Sequence, residues 1–139
     1  MMRCADNYII SIALVLLSLS AMASVPKAST SMPDFLVYGG TASGVVTAYS
    51  AAREGLHVVL LEPGKHLGGM VTGGLSASDV AHFQIIGGYA RDFYREAAAH
   101  YGIHTLNKHS DWLSEPHVGE DIFREWMKSS GVEVRFMNA

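Results

Sequence analysis

Cysteine is almost missing. Cys4 is the only one in 139 residues, and it lies in a segment whose layout predicts removal. The remaining chain is therefore expected to have no disulfide, no thiol nucleophile and no thiolate metal site. Metal-ligand spacing is missing too. Seven histidines are scattered singly, with no His-x-His or His-Glu-x-x-His arrangement, so no metal site is predicted. A formal net charge of −3 comes with no basic run and no asymmetry along the chain, which argues against a nucleic-acid partner. Nor is there a hydrophobic run long enough for a comfortable membrane span. The one candidate runs from Tyr8 to Leu19, short of the roughly 20 residues a spanning helix needs.

That run belongs to "MMRCADNYIISIALVLLSLSAMAS". It has an early cation (Arg3, offset by Asp6), an apolar middle and the small-residue triplet Ala21-Met22-Ala23. This is the layout of a signal peptide over residues 1–23, with cleavage expected after Ala23. It predicts a secreted or periplasmic protein, and an uncleaved signal anchor is the one expected route to a membrane. No twin-arginine pair is present, so export in the folded state is not indicated. Cleavage would leave 139 − 23 = 116 residues, enough to bury a core.

A small-polar linker, residues 24–33, leads into "DFLVY" (34–38), a short unbroken apolar run of the kind that forms a parallel strand buried on both faces. Gly39-Gly40 stop it. A helix is predicted over about 43–54, with Val45, Val46, Ala48, Ala51 and Ala52 near one face and Gly55 able to end it in the left-handed conformation. "HVVLL" (57–61) reads as a second strand, completing a βαβ unit with parallel strands. The span 64–79 is too glycine-dense for a helix. A helix over about 85–101 aligns Ile86, Ala90, Phe93 and Ala97, a loop covers 102–118, a third helix 119–131, and a strand 132–138. The fold class that follows is α/β, a Rossmann-type dinucleotide-binding domain over 34–139. No crossover follows the strand at 132–138 and no substrate half follows the glycine motifs. The expectation is thus the N-terminal portion of a larger protein.

In a dinucleotide fold the first glycine after strand one permits the tight turn. The second lets backbone approach the pyrophosphate, and the third lets helix and strand pack closely. Here those positions are Gly39, Thr41 and Gly44. Thr41 puts a Cβ where bare backbone is preferred, and its hydroxyl is a candidate phosphate donor. Ser43 adds a second hydroxyl. The helix start offers free N–H groups and partial positive charge to an anion. Glu62 ends the second strand, 23 residues after Gly39, where an acid accepts from ribose hydroxyls and repels a 2′-phosphate. The plainer reading is a glycine-rich turn in an ordinary α/β protein, with Glu62 a solvated strand end.

Downstream of Glu62 lies "PGKHLGGMVTGG", with Gly68-Gly69 six residues past the acid. Together "YGGTASG", "LLEP" and "HLGGMVTGGL" resemble the N-terminal FAD-binding segment of the secreted FAD-dependent oxidoreductase family. "EPHVGEDIFREWMKSSGVEV" (115–134) resembles the helix and strand that follow there. The resemblance implies FAD as cofactor. Gly39, Gly40, Thr41, Ala42, Ser43 and Gly44 would cradle its pyrophosphate, and Glu62 would hold the adenosine ribose. Gly68, Gly69, Met70 and Thr72 would lie near the ribityl–pyrophosphate region, with Gly73, Gly74 and Leu75 toward the ring edge. An oxidoreductase follows, taking electrons as hydride from a small organic substrate and passing them to an acceptor, both unidentified. No catalytic side chain is assigned, because the flavin carries the redox chemistry.

Other candidates are weaker. His66 could bind phosphate or attach flavin, against an exposed loop residue. His82 and His117 are lone histidines, and Asp79 with Glu115 is a carboxylate pair that nothing in the sequence brings together. Tyr89, Phe93 and Tyr94 suit a helical core. Arg91 and Arg95 suit a solvated face, with Arg91 an alternative phosphate ligand. Two other readings stay open: a truncated nucleotide-binding module without catalysis, and an NAD(P)-dependent dehydrogenase, against which Gly68-Gly69 speaks.

Overall fold

A computed structural model describes residues 32–75 and 82–138. The expected export segment, nearly all of the 24–33 linker, Asp79 and Ala139 fall outside the described residues. Strand β1 (Phe35–Tyr38), helix α1 (Ala42–Arg53) and strand β2 (Val58–Glu62) come first. Helix α2 (Gly88–His100), helix α3 (Pro116–Ser130) and strand β3 (Glu133–Phe136) follow, with 3₁₀ turns at 69–71, 83–85 and 109–112.

The sheet has the order β1-β2-β3, parallel throughout. Phe35 pairs with Val58 and Tyr38 with Leu61, while Val59 pairs with Glu133 and Glu62 with Phe136. All three strands thus run the same way, as sequential strands joined by helical crossovers do. The fold is α/β, a small Rossmann-type unit, as the sequence predicts. Val58, Val59 and Leu60 in β2 are buried, fitting a middle strand. α1 packs on β1, β2 and α3, and α2 packs on α3.

The core joins Val37, Val45, Ala48 and Leu60 to Leu67, Phe93, Phe123, Trp126 and Met127. Fully burying a side chain such as Phe123 or Met127 contributes about 1.5–3 kcal/mol. Tyr49 stacks on Trp126 at 5.0 Å, and Phe93 stacks on Phe123 at 4.7 Å, so aromatic rings fill the seam among the three helices. Trp126 Nε1 donates to both oxygens of Glu96, at 3.1 and 3.0 Å. Burial raises the Glu96 pKa, and this bond opposes the rise.

Two helix boundaries differ from expectation. α2 begins at Gly88, not near Ile85, because the Gly87-Gly88 pair follows a separate 3₁₀ turn. Ile86 is therefore outside the helix and Ala90 is exposed, while Phe93, Ala97 and Ala98 form the buried face. α3 begins at Pro116, three residues before the expected Gly119. Proline is well suited there, since the first helical residue has no N–H to bond within the helix.

Candidate functional site

The three strand C-termini lie at one end of the sheet, and three segments meet there: the turn 39–44, the end of β2 and the loop 64–72. Gly39 takes φ 97°, turning the chain sharply after β1. Its N–H still bonds to Leu61 O at 2.7 Å. Gly44 then packs so closely that an added Cβ would lie 2.0 Å from Gly39 O. The first and third glycines thus do the work expected of them.

Thr41 is the N-cap of α1. Its Oγ1 accepts from Gly44 N–H at 3.2 Å and lies 3.0 Å from Ser43 Oγ. The expected phosphate-donor role is left to its hydroxyl hydrogen, for which Ser43 competes. Thr41 also stands over Gly69, where an added Cβ would lie 3.3 Å from Thr41 Cα. No acidic residue occupies the first turn of α1. Ala42 and Ser43, as first-turn residues, have N–H groups with no intrahelical acceptor. Such an end attracts an anion.

Glu62 is half-buried and binds two backbone groups. Oε2 accepts from Gly40 N–H and Oε1 from Gly64 N–H, each at 2.6 Å. A carboxylate oxygen has a second lone pair, so each can still accept a ligand hydroxyl. The solvated strand-end reading does not hold: this carboxylate ties the turn to the loop.

The loop closes on the turn through its backbone. Gly68 N–H donates to Gly40 O at 2.7 Å, and Gly68 forms a parallel bridge with Thr41. Gly68 takes φ 102°. Thr72 does not present its hydroxyl outward: Oγ1 donates to Leu67 O at 2.5 Å, stapling the loop. Met70 is 75 % exposed. Gly73, Gly74 and Leu75 follow on the surface.

Of the expected site residues, the structure brings together Gly39, Gly40, Thr41, Ala42, Ser43, Gly44, Glu62, Gly68 and Gly69. It leaves Met70 outward and Thr72 as internal support. His66 is exposed, as expected of a loop residue, yet its Nδ1 lies 2.9 Å from Glu120 Oε2. His117 lies 3.6 Å from Glu115 on the surface, and His82 precedes the 83–85 turn. Tyr89, Phe93 and Tyr94 pack into or against the core. An apolar cavity of about 360 Å³ opens beside the first turn of α1, lined by Ala42, Ser43, Val46, Val71, Tyr89 and Phe93 among others.

Glu120 and Arg124 were not among the sequence candidates. Their spacing, acid then base four residues on along a helix, marks a helix pair, but nothing local says that it grips a loop more than 50 residues away.

The arrangement suits a dinucleotide: glycine backbone and helix N-terminus for a pyrophosphate, and an acid at the next strand end for a ribose. Added Cβ atoms at Gly40, Gly44 and Gly68 would strike Leu67 and Glu62, Gly39 O, and Thr72, so these glycines set the shape of the turn and loop. The backbone N–H groups and Glu62 that they arrange are the donor and acceptor set a dinucleotide such as FAD would need. Three solved structures are similar to this chain. One is the THI4 protein of Thermovibrio ammonificans, with 17 % identity over 94 % of this chain and 45 % of that one, TM-score 0.49. The second is an L-amino acid deaminase of Proteus vulgaris with its specific insertion deleted, with 17 % identity over 76 % and 44 %, TM-score 0.49. The third is the L-amino acid deaminase of Proteus myxofaciens in complex with anthranilate, with 14 % identity over 81 % and 40 %, TM-score 0.48. The chain spans less than half the length of each. No curated protein matches it. Residues 34–139 match the FAD dependent oxidoreductase family. The chain belongs to that family.

Proposed function

We propose that this chain holds FAD by its adenosine diphosphate half and serves as the cofactor-binding portion of an oxidoreductase acting on a small organic substrate. The observation that carries the reading is the convergence at Gly40: its N–H goes to Glu62 and its carbonyl to Gly68, so turn, acid and loop form one cradle. Gly39, Gly40, Thr41 and Gly44 shape the space for the pyrophosphate, and the Ala42 and Ser43 N–H groups face its charge. Glu62 accepts from the ribose hydroxyls while keeping its two backbone bonds. Its charge disfavours a 2′-phosphate, which supports FAD over an NADP-type ligand. Gly68 and Gly69 offer backbone next to the pyrophosphate, with Thr72 fixing their shape. Met70, exposed beside them, would lie near the ribityl–pyrophosphate region.

Bound FAD supplies the redox chemistry, accepting two electrons from the organic donor and passing them to an acceptor. The N-terminal layout supports a secreted or periplasmic protein that acquires its cofactor after export. A second reading is a truncated nucleotide-binding module without catalysis, consistent with the absence of an assigned catalytic side chain among the described site residues.

The test is the visible absorption spectrum of the full chain after incubation with FAD and gel filtration. Flavin bands that stay with the protein support the cradle. A folded, colourless protein that releases all added FAD would overturn the reading.

A further inference from the structure

The loop before Gly68 must be rigid for Gly68 N–H to meet Gly40 O, yet residues 63–68 contain no helix or strand. Beside the Thr72 and Glu62 bonds already described, its fixing comes from α3. Glu120, with a side chain only 15 % exposed, bonds through Oε2 to His66 Nδ1 at 2.9 Å and through Oε1 to Leu67 N–H at 3.4 Å. The same Oε1 receives the Arg124 guanidinium, Nε at 2.9 Å and Nη2 at 2.5 Å. Arg124 Nη2 in turn donates to Lys65 O at 3.1 Å. Three consecutive loop residues are thus gripped by two side chains one turn apart on α3. Arg124 also lies over the Phe136 ring at 5.2 Å, which anchors the grip to β3.

The chemistry favours a fixed carboxylate. Burial alone would push the Glu120 pKa up, but the bonds from His66 and Arg124 hold it below the usual glutamate value. The carboxylate itself is sheltered, while its partners His66 and Arg124 reach solvent, so it is their geometry on the loop that matters here. Leu67, the residue it holds, is 1 % exposed and lies against Gly40, where an added Cβ would come within 2.6 Å of its Cδ2. Displacing Leu67 therefore displaces the backbone that faces the turn.

We propose that Glu120 is a positioning residue for the cofactor cradle: from α3, and clamped by Arg124, it sets where Gly68-Gly69 sits against the glycine turn, and so sets FAD affinity without touching FAD. The inference rests on the FAD reading above. Sites of this kind need support from residues whose own rotamers are locked.

The experiment titrates the full chain with FAD, following flavin fluorescence and the induced circular dichroism of the visible flavin bands. Wild type is compared with Glu120→Ala, Glu120→Gln, His66→Ala and Glu96→Ala. Loss of a hydrogen-bonded charged group predicts that Glu120→Ala weakens FAD about tenfold or more and alters the visible dichroism. Glu120→Gln keeps an acceptor for Leu67 N–H and recovers part of the loss. His66→Ala weakens FAD by a smaller factor. Glu96→Ala removes a carboxylate at Trp126, away from the loop; it lowers the melting temperature and leaves FAD affinity unchanged.

Wild type that binds FAD together with Glu120→Ala that binds it equally well overturns this inference alone. Wild type that binds no FAD overturns the cofactor reading, and this inference with it. If Glu120→Ala fails to fold, His66→Ala decides: unchanged affinity and dichroism in that folded variant overturn the proposal, and a loss supports it.

Discussion

Two glycines of the site, one in the turn and one in the loop, are confined by different neighbours. At Gly44, in the turn 39–44, backbone meets backbone, and Gly39 O leaves no room for anything larger. At Gly68, in the loop 64–72, backbone meets side chains. A Cβ on Gly68 would lie 2.4 and 2.5 Å from Thr72 atoms and 2.9 Å from a Phe123 ring atom. The comparison teaches that Gly44 is confined by the chain's own backbone, whereas Gly68 is confined chiefly by the Thr72 side chain, which can be shortened.

The largest expected effect breaks the turn. Gly44→Ala places a methyl against a carbonyl that cannot swing aside, and about 3 kcal/mol of unfolding free energy should be lost. Urea unfolding measures it, and a loss below about 1 kcal/mol would show that the turn also yields. The same change should abolish FAD retention.

Gly68→Ala comes next and sharpens the contrast. It costs about 2 kcal/mol, partly from the clash and partly from the left-handed backbone. Thr72→Ala in the same chain removes the two closest clashing atoms, so the double variant should lose less than the sum of the single losses by about 0.5 kcal/mol or more. Thr72→Ala should give no such relief to Gly44→Ala. Additivity in both cycles would dissolve the distinction.

Thr41 tests the middle of the turn. Thr41→Ala removes the N-cap of α1 and should cost about 1 kcal/mol, while Thr41→Ser keeps the acceptor for Gly44 N–H and should cost much less. Thermal melting of the two variants separates capping from the packing of the threonine methyl over Gly69.

The smallest effect is the response of the loop to acid. Glu120 has a folded pKa below its ordinary value of 4.5. Its stabilising share is therefore fully present above about pH 4.5 and is lost as the pH falls through the lower folded value. Melting temperature followed downward from neutral pH should fall less steeply in Glu120→Gln than in wild type. Parallel curves would remove the carboxylate from the account of the loop.

Much of this fold, and the meeting of its glycine segments, could be read from the sequence. β1, α1 and β2 fall within one residue of expectation because short apolar runs, a run of small residues and flanking glycines all agree locally. Glu62 was legible for the same reason: it stands at the end of a run of four apolar residues. What failed was either punctuated ambiguously or was nonlocal. Pro116 marks the start of α3, but the polar stretch after it hides the helical period for one turn. Thr41 looked like a weakened glycine position, since its capping bond depends on the exact direction of the side chain. The grip of Glu120 and Arg124 on the loop joins residues more than 50 positions apart, which no local pattern encodes.

β1 has a further practical consequence. Its four residues are all apolar, yet Leu36 is 56 % and Tyr38 70 % exposed, and β1 stands at one edge of the sheet among the described residues. A bare, greasy strand edge is a template for sticking to other chains. Preparations of this chain alone should therefore show light scattering that rises with concentration. Charged substitutions at Leu36 and Tyr38 are the simplest way to keep it dispersed.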